Sequence, residues 1–112
     1  MIVLFCRTQH TFGTERYVLY PEAVNRAQAT AKCEREGGQL AIGDESMASY
    51  SKISFFQTML KFHQENLDDT AVWALVALGG RPAESCMAVS AHAIGMHNPC
   101  NIEALPICKI NA

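Results

Sequence analysis

Cysteine and histidine are the residues of this chain whose types and spacing could support chemistry. Five cysteines in 112 residues is a high density, and they are Cys6, Cys33, Cys86, Cys100 and Cys108. Four of them can form two disulfide bonds and leave one thiol over, as in small secreted domains. No two cysteines have the C-x-x-C spacing of zinc ribbons and redox centres. A disulfide framework is therefore the favoured interpretation, although the sequence leaves the pairing open.

Zinc binding is an alternative use of the same side chains. Cys86, His92, His97 and Cys100 have the ligand types of a tetrahedral zinc site. Their spacing is not that of a common zinc knuckle, and a disulfide between the two cysteines would remove both thiols. The histidines would then lie in a surface loop, and this is the interpretation we favour.

Catalysis is a second alternative, and the motifs give it little support. A cysteine nucleophile needs a histidine nearby, and only Cys6 and His10 are close along the chain. The sequence contains no G-x-S-x-G, no H-E-x-x-H and no phosphate-binding loop. We therefore expect a protein that is not an enzyme, with no cofactor and no metal.

Charge and hydropathy exclude further classes of partner. The nine basic residues are scattered and the net charge is −2, so a nucleic-acid stripe or a polybasic membrane patch is not expected. The longest apolar runs are far shorter than the roughly 20 residues that span a bilayer. Residues 1–6 also lack the charged leader and cleavage site of a complete signal peptide.

Two helices must position these residues. Pro21 is expected to open the first helix, over residues 22–36, and Gly37 to end it. Its buried side chains would be small, namely Val24, Ala27, Ala31 and Cys33. The second helix is predicted from an amino cap at Asp44 to about residue 65. Its apolar face follows steps of three and four residues: Met47, Tyr50, Ile53, Phe56, Leu60 and His63, widened by Phe55, Met59 and Phe62.

Short strands make up the remaining elements. They are predicted at residues 2–5, 17–20, 71–78 (with Trp73 inside), 85–91, 93–96 and 105–110. Because both helices precede a strand-rich half, the pattern indicates an α+β fold. We expect two helices flanking a small, mostly antiparallel sheet in one domain over residues 1–112.

Several short motifs occur in a specific order along the chain. A-x-x-x-C ends at Cys33, G-G-Q-L-A begins at Gly37, V-W-A-L surrounds Trp73, and P-I-C-K surrounds Cys108. Over about residues 17–110 this set resembles a C-type lectin-like domain of the compact kind. The resemblance implies two disulfides, Cys33 with Cys108 and Cys86 with Cys100.

The positions that bind calcium in that family carry other residues here. Its E-P-N and Q-P-D motifs are absent, and its W-N-D positions fall on Gly95, Met96 and His97. Twelve residues between Trp73 and Cys86 are too few for the family's long loop, and Glu84 is the single acidic position left. Since calcium takes six to eight oxygen ligands, we expect no calcium-dependent sugar binding.

The resemblance therefore implies a calcium-independent recognition or adhesion module of an extracellular protein. We expect a protein partner, bound by the loop at residues 79–84 and the facing segment 92–98. The candidate contact residues are Arg81, Glu84, His92, Met96, His97 and Asn98. Cys6 is expected to be a buried thiol, or alternatively a link to another chain.

Two other functions stay open from the sequence. A polyanionic glycan could bind to Arg7, Arg16, Tyr17 and Tyr20, although tyrosines in a strand more often pack in the core. The domain could also be a structural spacer within a larger surface protein.

Overall fold

Two helices and a mixed sheet form an α+β fold in the computed structural model, which describes residues 8–43, 50–67, 72–79 and 84–111. The predicted α+β class, with two helices and two disulfide bonds, is confirmed. In chain order the elements are β1 (Thr8–Phe12), β2 (Glu15–Leu19), α1 (Arg26–Arg35), β3 (Gly38–Leu40), β4 (Ile42–Gly43), α2 (Tyr50–Leu67), β5 (Ala74–Leu78), β6 (Cys86–Val89), β7 (Ile94–His97) and β8 (Leu105–Ile110).

The sheet is built around β8. Its strand order is β1-β2-β8-β5-β6-β7, with β3 paired to β8 and β4 paired to β5. On one edge of β8 lies β2. On the other edge, β5 pairs with the first residues of β8 and β3 pairs with the last. Pairs β5–β8 and β4–β5 are parallel, and the other pairs between the described strands are antiparallel. The sheet is thus mixed, with antiparallel pairing predominating.

Each face of the sheet carries its own hydrophobic core, because side chains alternate along a strand. On β2, Tyr17 and Leu19 pack in the core that contains α2, whereas Val18 and the next residue after the strand, Tyr20, pack in the core that contains α1. The predicted apolar face of α2 is buried at Ile53, Phe56, Met59, Leu60 and His63, while Phe62 is 47% exposed. The predicted positions Asp44 and Met47 lie outside the described residues.

The predicted start of α1 is wrong. The helix begins at Arg26, after Asn25, whose side chain accepts a hydrogen bond from the Gln28 amide while the Gln28 side chain accepts one from the Asn25 amide. This capping box satisfies the backbone amides of Asn25 and Gln28 at the start of the helix. The predicted buried face is also partly wrong, since Ala29 and Cys33 are buried and Ala27 is exposed.

Of the other residues predicted for that face, Ala31 is half-buried. Val24 is buried outside the helix, in a β-bridge to Ala104.

The glycine pair after α1 sets the approach of β3 to β8. Gly37 has a φ of +87°, the left-handed conformation expected of the residue that ends a helix. A Cβ on Gly38 would lie 2.9 Å from the Ile110 Cα and would also meet the Lys109 carbonyl oxygen. Only glycine lets β3 lie this close to β8.

Two of the described strands differ from the prediction. β5 begins at Ala74, so Trp73 lies before the strand and is 42% exposed. β1 forms from a polar segment that the sequence did not indicate, because Thr8 is buried and His10 packs against α2. The strand predicted at residues 2–5 lies outside the described residues.

Candidate functional site

Two disulfide bonds brace the α1 side of the sheet. Cys33 near the end of α1 is bonded to Cys108 on β8, and Cys86 on β6 is bonded to Cys100. These are the pairs that the lectin-like resemblance implied. Both thiols of the alternative zinc site are thus held in a disulfide. Structural disulfides suggest an oxidising environment of the extracellular kind.

The β6–β7 hairpin is held at both ends. At its tip the Ser90 amide donates to the Ala93 carbonyl at 2.8 Å, and the Ser90 hydroxyl accepts from the Ala93 amide at 3.0 Å. At the other end the Cys86–Cys100 bond joins β6 to a residue that lies three positions after the end of β7. The Cys100 amide also donates to the Glu84 carbonyl at 2.6 Å. The register of β7 on β6 is therefore fixed covalently and by hydrogen bonds.

β7 forms an edge of the sheet. Among the strands that the structure describes, none pairs with its outer side. Because Ser90 and Ala93 form a hydrogen-bonded pair, the alternation of an antiparallel ladder makes Ala88 and Gly95 the next such pair. The N–H and C=O groups of Ile94 and Met96 therefore point outwards, where another strand could bind them.

The side chains of β7 point alternately to the two faces. Ile94 and Met96 share the α2 face with Val89 and Met87, yet they are 45% and 48% exposed. Large apolar side chains on an open edge are unusual, since edge strands are commonly protected by charge, proline or a covering loop. We call Ile94, Met96 and the outward backbone of β7 the β7 edge.

A pocket lies beside the β7 edge on the α1 face. Its volume is about 260 Å³, and it is lined by Trp73, Ala88, Gly95, His97, Ile102, Glu103 and Ala104. The small residues Ala88 and Gly95 are paired in register on neighbouring strands, which leaves the space above them open. We call this the Trp73 pocket.

The candidate contact residues occupy different parts of the hairpin. His92 is exposed at its tip, while Glu84 and Asn98 are exposed near the disulfide, roughly 13 Å away along four extended residues. Met96 and His97 lie on opposite faces of β7. Arg81 and Cys6 lie outside the described residues. The hairpin thus contains the segment 92–98, but its residues do not form one continuous patch.

Three further residues belong to the same region and were not singled out from the sequence. The sequence pattern predicts Trp73 inside a strand, and it does not distinguish Ile94 or Glu103 from their neighbours. The alternation of Ile94 and Met96 with Gly95 and His97 was the signal that could have placed them on two faces.

A larger depression lies between the disulfide and α1. It has a volume of about 650 Å³ and is lined by Arg26, Ala27, Thr30, Glu84 and Cys100. A guanidinium nitrogen of Arg26 donates to the Ser85 carbonyl, which ties the start of α1 to the segment before β6. Glu84 thus faces α1 rather than the Trp73 pocket.

The tyrosines of the glycan alternative are buried on opposite faces of the sheet. Tyr17 is 1% exposed and Tyr20 is 5% exposed. The Tyr17 hydroxyl donates to Glu15 Oε1 at 2.8 Å, and the Tyr20 hydroxyl donates to Glu36 at 3.2 Å. The two rings therefore cannot line one ligand surface with Arg16.

Glu15 is the centre of a small charged network on the α2 side. Lys109 Nζ lies 2.8 Å from Glu15 Oε2, and Lys52 Nζ lies 3.4 Å from Oε1. The hydrogen bonds from Lys109 and Tyr17 lower the pKa of Glu15 to about 2. Burial and the neighbouring carboxylate raise the pKa of Tyr17. This network fixes β2 against β8 far from the β7 edge.

The described part of the chain has neither a group of metal ligands nor a membrane-spanning helix. There, no three His, Cys, Asp or Glu side chains are grouped closely enough to hold a metal ion. None of the described helices combines the length and apolar character needed to cross a bilayer.

No protein-family model matches the chain, and no curated protein is similar enough to be called related.

Proposed function

We propose that this chain is a calcium-independent recognition module that binds a protein partner through the β7 edge. The observation that carries the proposal is a strand that pairs on one side only among the described strands and carries two large apolar side chains, Ile94 and Met96, each nearly half exposed. Exposed apolar groups are typical of protein interaction surfaces, and an open edge adds backbone hydrogen bonds.

Rigidity of the hairpin supports this proposal. The Cys86–Cys100 bond and the Ser90 turn hold β7 in one register before any partner arrives. A surface that is already ordered loses less conformational entropy on binding, so more of the contact free energy is retained. Because this disulfide holds β7 in place, the exposed side chains of the strand are not needed to stabilise the core.

We further propose that the fold is of the compact C-type lectin-like kind and that the module works outside the cell. The cysteine pairing, the two helices and the central position of the last strand support this assignment. The residues at the family's calcium positions support independence from calcium, because Gly95 and Met96 have no side-chain oxygen and His97 offers imidazole nitrogen.

The proposal is tested by screening the folded domain against arrays of extracellular protein domains and of glycans. Both arrays are probed with calcium and with EDTA. We expect binding to protein domains that is equal in the two buffers. Binding that needs calcium, or that occurs only to glycans, would overturn the proposal.

A matched pair of variants locates the binding surface. Ile94→Ser removes an apolar side chain that is 45% exposed on β7, and Ile42→Ser removes one that is 48% exposed on β4. Neither site is in the core, so both variants should fold. We expect Ile94→Ser to weaken binding more than about tenfold and Ile42→Ser to leave it unchanged. An equal effect of the two variants would contradict binding at the β7 edge.

A further inference from the structure

We propose that the partner binds the β7 edge as an extended antiparallel segment and places one basic side chain in the Trp73 pocket. This inference rests on the proposed function and adds the chemistry of the partner. The pocket and the outward backbone of β7 lie side by side. A strand that pairs with β7 in antiparallel fashion would therefore bring one of its side chains to the pocket.

The register of the added strand follows from which groups of β7 point outwards. Ile94 and Met96 would exchange hydrogen bonds with the partner, so the partner residue opposite Gly95 falls between those bonds. In such a pair the Cα atoms are only about 4.5 Å apart, and the two side chains share a face. Gly95 lines the Trp73 pocket and has no side chain to occupy it. The partner side chain opposite Gly95 therefore has a direct path into the pocket.

The size of the pocket fits one side chain. Its volume of about 260 Å³ is below the roughly 300–1,000 Å³ of pockets that enclose whole small molecules. A long, flexible side chain that arrives from an adjacent strand suits this space better than a free ligand.

The charge of the pocket selects a cation. Glu103 is the one residue with a formal charge among the described residues that line it, and it is exposed. Trp73 lines the pocket and is 42% exposed, and an arginine or lysine head group is attracted to the face of a tryptophan. An aromatic face and a carboxylate in one pocket match the planar guanidinium of arginine especially well.

A second copy of this chain that pairs through its own β7 does not supply that group. If β7 paired with β7 of another copy, the residues opposite Gly95 would come from Ile94–His97, which contains neither lysine nor arginine. The charge of the pocket therefore favours a different protein over self-association.

A pair of peptide probes tests the inference. One is a soluble peptide of alternating threonine and valine with a central arginine, and the other replaces the arginine with citrulline, its neutral isostere. Trp73 is the single tryptophan of the chain, so its fluorescence reports on the pocket. Amide NMR shifts of Ile94 and Met96 report on the strand. We expect the arginine peptide to bind at least about tenfold more tightly than the citrulline peptide, with changes at both sets of signals.

Three variants sharpen the test. Glu103→Gln is expected to abolish the preference for arginine, while the control Glu34→Gln, at an exposed position on α1, keeps it. Gly95→Val is expected to weaken arginine-peptide binding more than about tenfold by blocking the path. A Cβ at Gly95 meets only His97 Nε2, at 3.7 Å, so the variant should fold.

Four results would overturn the inference. Equal binding of the two peptides at the β7 amides would show that the partner needs no basic side chain, and it would not contradict the proposed function. Peptide binding with shifts elsewhere, or self-association through β7 in sedimentation, would exclude the proposed occupant. If neither peptide binds, the inference fails, while the array experiment still decides the proposed function by itself.

Discussion

Removal of the Cys33–Cys108 disulfide is expected to destabilise the domain more than removal of Cys86–Cys100. A disulfide acts mainly by restricting the unfolded chain, so its effect grows with the length of the loop that it closes. The two bonds span 75 and 14 residues. The chain-entropy relation gives roughly 4.5 kcal/mol for the first and roughly 3 kcal/mol for the second. Their difference, roughly 1.5 kcal/mol, corresponds to more than a tenfold change in the unfolding equilibrium.

The assay is urea unfolding of two double variants, each with both cysteines of one pair changed to alanine. Fluorescence of Trp73 and circular dichroism follow the same transition from two parts of the molecule. Alanine keeps these positions apolar, and each variant loses two sulfur atoms. The difference in the free energy of unfolding between the two variants therefore reports mainly on loop length. A domain of this size has about 5–15 kcal/mol of stability, which leaves both variants measurable at low temperature.

The two bonds should also differ in their effect on binding. The variant without Cys86–Cys100 is expected to keep its fold and lose binding at the β7 edge, because β7 is no longer held at its open end. Equal stability of the two variants, or lower stability of the one without Cys86–Cys100, would refute the argument from loop length.

Further predictions concern local packing and charge. Gly38→Ala is expected to lower the free energy of unfolding by about 3 kcal/mol, since its Cβ would lie 2.9 Å from backbone atoms of β8. Gly95→Ala, with 3.7 Å of clearance, is its control, and equal melting temperatures would contradict this packing. Asn25→Ala should cost about 1 kcal/mol in urea unfolding, and an unchanged midpoint would mean that the cap does not stabilise α1. Because Lys109 lowers the pKa of Glu15 from 4.5 to about 2, the stability from Glu15 is present above pH 4.5 and lost as the pH falls through 2. The difference in melting temperature between the wild type and Glu15→Gln should therefore shrink over that range, and a constant difference would contradict the network.

The sequence predicted best the elements whose signals are local and strong. β8 was predicted at residues 105–110 and is found there; its sequence is largely apolar, and four of its six residues are buried. α2 was recognised from the spacing of Ile53, Phe56 and Leu60, which are all buried. The first signal is an apolar run that is buried on both faces of the sheet, the second is the apolar face of a helix, and the pattern of residue types records both directly.

Other elements depend on contacts that local patterns do not record. Pro21 and Asn25 are both acceptable helix starts, and the reciprocal bond with Gln28 decides between them. β1 has a polar sequence because it is an edge strand, and its pairing with β2 becomes evident only in the folded sheet. The two faces of β7 could have been predicted from alternation. The exposure of Ile94 could not, because it depends on how much of this face of the sheet α2 covers.

The residues of the candidate site lie far apart along the sequence. The segment 92–98 contains only β7 and part of the hairpin tip, whereas the Trp73 pocket unites residues from four separate stretches of the chain. Such a grouping depends on the tertiary fold, so motif spacing cannot reveal it.

Binding at the β7 edge is tested most directly by amide hydrogen exchange on the domain bound to a protein found in the array experiment. In the free domain the amides of Ile94 and Met96 point away from β6 and should exchange quickly. We predict that the partner slows exchange at these two amides, in EDTA as in calcium. Protection confined to α1 or to β1, with fast exchange retained along β7, would contradict the proposal.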